Sequence, residues 1–374
     1  MALRQEQAKL IEAIPEIMVM REEPQQRPTF VLTRGAYDAP GEEVGRGTPA
    51  QLLSLQEPVA DRKALAEWLV DRRHPLTARV AVNRLWQSLF GTGLVSTAED
   101  FGLQGALPSH PELLDWLAAE FMESGWDVKA MVRLIVLSDV YQRSSNPTEE
   151  LLREDPENRS LARGPAMRLP AEMIRDTALA ASGLLVDKQG GPPVKPYQPD
   201  GLWKEKSGQA YKRDAGEGSH RRSLYTYWKR TSPPPAMMTL DASNREVCVV
   251  RRQVTMTPLQ MLVLLNDPQY VEAAKALASR AASTESDLDL RLTYVFQALV
   301  TRVPNEAELD VLRRLYTSQL EEFEKHTKKA EELLAIGDFK TSQESLAKVS
   351  GPELAALTVV AEGLMSYDET VMKR

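Results

Sequence analysis

Apolar residues recur at spacings of three and four through most of the chain, and this period predicts a mostly α-helical fold. Across Asp61–Arg73, Leu65, Trp68 and Leu69 share one face. Pro75 and Thr77 open a second helix that runs to Phe90, with Gly91 placed to cap it in the left-handed conformation. Ser109-His110-Pro111-Glu112 has the spacing of a capping box, and Leu113, Leu114, Leu117 and Phe121 form a helical stripe behind it. Asp127 is placed to cap a fourth helix whose Met131, Leu134, Ile135 and Leu137 point inward. These four helices are expected to form one bundle. A fifth, Pro170–Leu185, stops near Gly183. The period returns at Pro258, predicting helices over 258–282, 285–302, 305–335 and 352–372, the third of them highly charged and solvated.

Two stretches lack this period. Residues 1–58 contain a short strand candidate, Thr29–Thr33, among Pro- and Gly-rich turns, and the first 25 residues read as the tail of a helix that began in a longer protein. Residues 186–257 are irregular and hold many of the prolines and aromatics, a length more typical of an ordered functional loop region than of a linker. The expected organisation is therefore an irregular opening segment (1–58), an N-terminal helical bundle (59–185), a basic and aromatic loop region with a few short strands nearby (186–257), and a C-terminal helical part (258–374) packed with the first bundle as one domain.

The net charge of -7 argues against sequence-independent nucleic-acid binding. No apolar run reaches the ~18 residues that span a bilayer. The lone Cys248 excludes an internal disulfide and a thiolate cluster, and its valine neighbours Val247, Val249 and Val250 predict a buried, strand-like, inert position. No CxxCH, HExxH, Walker loop or GxSxG elbow is present, and the four histidines lie far apart in sequence. No metal and no cofactor is expected in this chain.

Three constellations remain. Arg79, Asn83 and Gln87 form a polar line on the second helix that would line a cleft, unless it is simply a solvated or loop-bracing face. From His220 to Arg252, seven Lys and Arg face two acids, a local net of +5. There Arg221, Arg222, Arg245, Arg251 and Arg252 interleave with Tyr225, Tyr227 and Trp228, a pattern suited to sulfate, phosphate or carboxylate groups. The competing reading ties these arginines to loop carbonyls. Scattered carboxylates (Asp100, Asp115, Asp127, Asp176, Asp241, Asp267) would suit hydrolysis only if paired, and caps or local ion pairs account for several.

The strings HPLTARVAVNRLWQSLFGTGLVSTAEDFGLQGALPSHPELLDWLAAEF, RLPAEMIRDTALAASGLL, GGPPVKPYQPDGLW and RRSLYTYWKRTSPPPAMMTLDASNREVCVVRRQVTMTPLQMLVLLNDPQYVEAA resemble the C-terminal domain of unknown function of large planctomycete and verrucomicrobial proteins, from about Arg27 to Lys373. The resemblance implies an export signal, a c-type cytochrome domain and a second planctomycete-specific domain elsewhere in the full-length protein. It further implies a periplasmic or cell-surface setting, with haem c on the separate domain. It supplies no catalytic residues. Three readings follow: a binding or scaffold module engaging anionic polysaccharide; a docking domain for its own cytochrome domain, marked by an exposed apolar patch; and a hydrolase or redox enzyme using Arg79, Asn83, Asp100 or Asp241 in a deep pocket.

Overall fold

The computed structural model describes residues 2–23, 25, 27–54 and 59–373. The chain is mostly α-helical, with two small antiparallel sheets among the described residues. In order, the elements are α1 (Ala2–Glu12), β1 (Thr29–Leu32), β2 (Pro40–Val44), α2 (Arg62–Leu69), α3 (Thr77–Phe90), α4 (Pro111–Glu123), α5 (Val128–Val136), α6 (Asp139–Gln142), α7 (Glu149–Glu154), β3 (Met167–Arg168) and α8 (Ala171–Ser182). The irregular region holds only short pieces: α9 (Leu202–Ser207), α10 (Glu217–His220) and α11 (Pro235–Thr239). Then come α12 (Pro258–Asn266), α13 (Pro268–Thr284), α14 (Leu288–Val300), α15 (Glu306–Lys325), α16 (Thr327–Ala335), α17 (Gln343–Lys348), α18 (Gly351–Met365), α19 (Asp368–Val371) and β4 (Met372–Lys373).

The chain divides into two compact units, residues 1–82 with 113–127, and residues 83–112 with 128–374. In the first unit, β1 and β2 pair with Thr29 opposite Val44 and a bulge between Phe30 and Leu32. Asp61 caps α2, accepting from the Ala64 N–H at 2.8 Å, but the helix stops at Leu69 rather than Arg73. His74 is buried because its Nδ1 accepts from the N–H groups of Leu76 and Thr77, both at 3.2 Å, which caps the start of α3. The Trp68 ring meets the His74 ring edge-on at 4.4 Å and donates from Nε1 to the Leu53 carbonyl.

In the second unit Asn83 is fully buried, so it does not line a cleft as its place on α3 suggests. Its amide bridges the Val95 backbone, donating to the carbonyl at 3.1 Å and accepting from the N–H at 2.9 Å. This clamp holds the turn after α3, and a Cβ on Gly93 would fall 2.6 Å from the same amide. Asn83→Ala leaves two buried backbone groups unpaired and is expected to cost about 2 kcal/mol in urea unfolding. Asn83→Asp, which keeps the acceptor but cannot donate to the carbonyl, should be no better.

The large core lies in the second unit, with α13 at its centre packed against α8, α14 and α18. Alanine makes this possible: Ala273, Ala274, Ala278, Ala281 and Ala282 are all fully enclosed and let neighbouring backbones approach. α18 is apolar on nearly every side and equally enclosed, as expected of a central helix. The continuous helices expected over 258–282 and 305–335 are each broken. The first breaks at Asp267, held extended (ψ 129) because it precedes Pro268, and its carboxylate caps α13 through the Gln269 N–H. The second breaks at His326 (ψ 61), and the Lys329–Glu322 pair at 2.6 Å spans the break. The final predicted helix ends at Met365, and Met372–Lys373 instead pair with Met167–Arg168.

Candidate functional site

The residues singled out from sequence separate into distinct environments. Arg79 belongs to the first unit, where its guanidinium pairs with Asp115 at 2.6 Å and donates to the Pro75 carbonyl. The pair holds the Asp115 carboxyl below the ordinary carboxylate range.

Arg221 is a buried strut. It donates to the carbonyls of Pro192, Lys188 and Gly190 at 3.1, 2.7 and 2.5 Å and lies over the Tyr225 ring at 3.9 Å. The Tyr225 hydroxyl in turn accepts from the Gly190 N–H. These bonds fasten the 188–192 turn to the loop that follows α10. Arg222 remains half-exposed beside Asp187 at 3.5 Å.

Beneath this strut lies a buried polar centre. Arg175 of α8, only 2% exposed, donates to Gln269 Oε1 and to the carbonyls of Ser219 and Arg221 at 2.6, 2.7 and 2.8 Å, and to Ser223 Oγ. Burial lowers its pKa, partly countered by Tyr270, Asp176 and Asp267 nearby. Asp176 accepts from the N–H and hydroxyl of Ser223. Further along α13, Glu272 is fully enclosed and faces His220 Nε2 at 3.3 Å. Burial alone would raise the Glu272 carboxyl, but His220 and the N–H groups of Phe339 and Asp338 outweigh it and hold it below its usual value. Gly337 (φ 86) is required here, since a Cβ would lie 2.6 Å from Glu272. Apart from the Arg175–Gln269 bond, which joins α8 to α13, the bonds described in this centre tie the segments at 219–223 and 338–339 to α8 or α13.

A cleft beside the centre, lined by Arg175, Tyr197, Thr226, Pro235, Asp267 and Gln269 among others, encloses about 290 Å³ including open solvent, of which only about 10 Å³ admits a water molecule. Burial raises the Asp267 carboxyl. A space of that size suits one water rather than an organic substrate. Among the described residues no group of three or more His, Cys, Asp and Glu is arranged to hold a metal. No helix among them is long and apolar enough to cross a membrane.

The remaining predicted residues converge on a surface that the helical period did not foretell. Trp228 donates from Nε1 to the Asn244 carbonyl at 2.9 Å, and the Arg245 guanidinium lies 4.5 Å above its ring. Arg252 pairs with Glu172 at 2.6 Å, a bond that outweighs burial and keeps that carboxyl low. Arg251 is exposed, and no side-chain bond holds it among the described residues. Cys248 is exposed as well, contrary to the buried position expected from its valines, because Val247 and Val249 face solvent too.

The same exposure continues into α12. Gln260 and Leu264, one turn apart, face inward, so Leu259, Met261 and Leu262 face out at 58%, 50% and 55% exposure. The cause is a polar knot. Asp241, at φ 65, accepts from the Thr255 N–H at 2.7 Å, from its hydroxyl at 2.9 Å, and from Gln260 Nε2 at 3.1 Å. Arg168 adds an ion pair with Asp241 at 3.4 Å and a hydrogen bond to the Thr255 carbonyl. Thr257 and Gln260 close a capping box on top of it. Burying Gln260 in this knot turns the leucine and methionine side of α12 to water. Val254 and Met256, in the extended stretch before the helix, are likewise 64% and 71% exposed.

Fold and surface together define a helical module whose buried polar groups brace loops and which exposes apolar side chains on α12 and in the arginine-containing stretch before it. Residues 61–316 match the family model PSD1, described as "Protein of unknown function (DUF1553)", and the chain belongs to that family. No curated protein and no solved structure matches the chain.

Proposed function

We propose that the chain is a docking module, a helical scaffold that holds another protein domain against the face formed by residues 245–262. One observation carries this reading: α12 buries its glutamine and exposes Leu259, Met261 and Leu262. With Val254 and Met256, five large apolar side chains between residues 254 and 262 are half or more exposed, and exposed apolar patches with polar rims are where proteins meet. The first candidate for the docked domain is the c-type cytochrome domain implied by the family resemblance, in an extracytoplasmic, multidomain protein. The anionic-polysaccharide reading is weaker, because Arg221 is spent on three carbonyls, Arg252 on Glu172 and Arg222 is paired with Asp187. The enzyme reading is weaker still, because Asn83 and Asp241 are both bound into loop braces.

The chain carries its own reporter, since Cys248 is its single cysteine and lies beside the apolar run. Labelled there with an environment-sensitive dye, the protein is titrated with a c-type cytochrome domain from the same full-length protein. Saturable burial of the dye is expected, and Leu259→Ser with Leu262→Ser should weaken it at least tenfold while circular dichroism stays unchanged. No change in the dye with the cytochrome domain, together with a saturable response to a sulfated polysaccharide, would replace docking with glycan binding.

A further inference from the structure

We infer that the segment seated on this face is an acidic amphipathic helix, one whose apolar stripe covers α12 while its flanking Asp or Glu side chains meet the arginine rim. The inference rests on the docking reading above and adds the chemistry of the partner. Arg245, Arg251 and Arg252 stand here against Glu246 and against Glu172, which neutralises Arg252, so the net excess of one positive charge falls on Arg251, exposed and unpaired among the described residues. The next carboxylate along the chain, Asp267, is bound as the cap of α13. This local excess sits on a chain of net charge -7, so an acidic partner is repelled by the molecule in general and attracted here.

The rim is also held in place before any partner arrives. Arg245 is fixed over the Trp228 ring, the ring is fixed by its bond to Asn244, and Arg252 is fixed by Glu172. Such side chains lose little freedom on binding. Arg251 is the one of the three that no bond within the described chain holds, so it is the guanidinium free to take a carboxylate in two parallel hydrogen bonds. The apolar part favours a helix as partner. Leu259 and Leu262 stand one turn apart as a ridge, and Met256 and Met261 beside them are unbranched side chains that adapt to a facing stripe.

The test uses three synthetic helical peptides sharing one leucine stripe, with flanks of Glu, Gln or Lys, read through the dye on Cys248. The Glu peptide is expected to bind at least tenfold more tightly than the Gln peptide, and the Lys peptide most weakly. Raising the salt from low to high should shrink the Glu preference without affecting the Gln peptide. Arg251→Glu should reverse the order of the Glu and Lys peptides and leave the Gln peptide unchanged, which separates a charge contact from a folding defect. Equal binding of all three overturns the acidic partner and leaves the docking face standing. Binding of none of them, while the cytochrome domain still buries the dye, overturns the helical partner alone. Loss of the Glu preference only when heparin competes, with Arg251→Glu silent, overturns the inference in favour of a polyanion surface.

Discussion

Arg175→Met should destabilise the second unit by about 3–5 kcal/mol, the largest single-residue loss expected in this chain. Among the described residues the guanidinium is the one group that joins α8, α13 and the segment at 219–223 in one set of bonds, and it is 2% exposed. Methionine fills much of the space but leaves the carbonyls of Ser219 and Arg221 and the Gln269 amide oxygen buried without donors. Each such orphan costs about 1–3 kcal/mol, and partial relaxation keeps the sum below the upper limit. Arg175→Lys retains the charge but not the planar fork that serves several acceptors at once, so it should recover less than half of the loss. Urea unfolding followed by circular dichroism gives the global number. Hydrogen exchange supplies the local one: the Val186 and Val194 amides, bonded to the carbonyls of His220 and Tyr225, should exchange faster in both variants than amides in α18. A loss below 1 kcal/mol, or uniform acceleration everywhere, contradicts the view of Arg175 as the tie for this loop.

Helix ends were legible where a glycine stops an apolar stripe, as at Gly91 and Gly183. The breaks were less so. LLNDP contains the cue, since a residue before proline leaves the helical region, yet the apolar period runs straight across it. The loop region was legible as irregular, basic and aromatic, but the use of each arginine was not. Arg221 and Arg251 look alike in sequence, and only the fold gives Arg221 three carbonyls and leaves Arg251 to solvent. Backbone acceptors carry no sequence mark, so any reading of an arginine cluster is blind to them.

The α12 face was hidden for a related reason. PLQMLVLLN is apolar almost throughout, so no period within it tells which side is inward. What orients the helix is Asp241, seventeen residues before Pro258, through a bond to the one strongly polar side chain in its first turn. The only hint available from sequence was that lone Gln260 in an apolar run, where a polar residue would ordinarily be assigned to the outside. The same knot that secures the loop thus produces the exposed face. Stability of the scaffold and presentation of the surface come from one set of contacts.

Glu362→Gln should have the opposite sign to Arg175→Met and a strong dependence on pH. Glu362 lies within α18, is 7% exposed, and its Oε1 has no hydrogen-bond partner among the described residues. Burial pushes its carboxyl from an ordinary value of 4.5 up to about 7. A folded-state value above the unfolded one means that the folded protein holds the proton more tightly. Below pH 4.5 both states are protonated and the residue costs nothing on this account. As pH rises from 4.5 to 7 the unfolded chain ionises while the folded one does not, and stability falls by about 1.4 kcal/mol per pH unit. Above pH 7 the folded carboxyl ionises as well and the loss levels off, near 2–3 kcal/mol after allowance for relaxation. Glutamine keeps the shape and cannot ionise, so the variant should match the parent at pH 4 and exceed it by that margin at pH 8. Urea unfolding of both proteins at half-unit pH intervals reads the difference directly, and other titrating groups cancel in the subtraction. A gap that stays constant from pH 4 to 8 would mean that the Glu362 carboxyl finds water in the folded state.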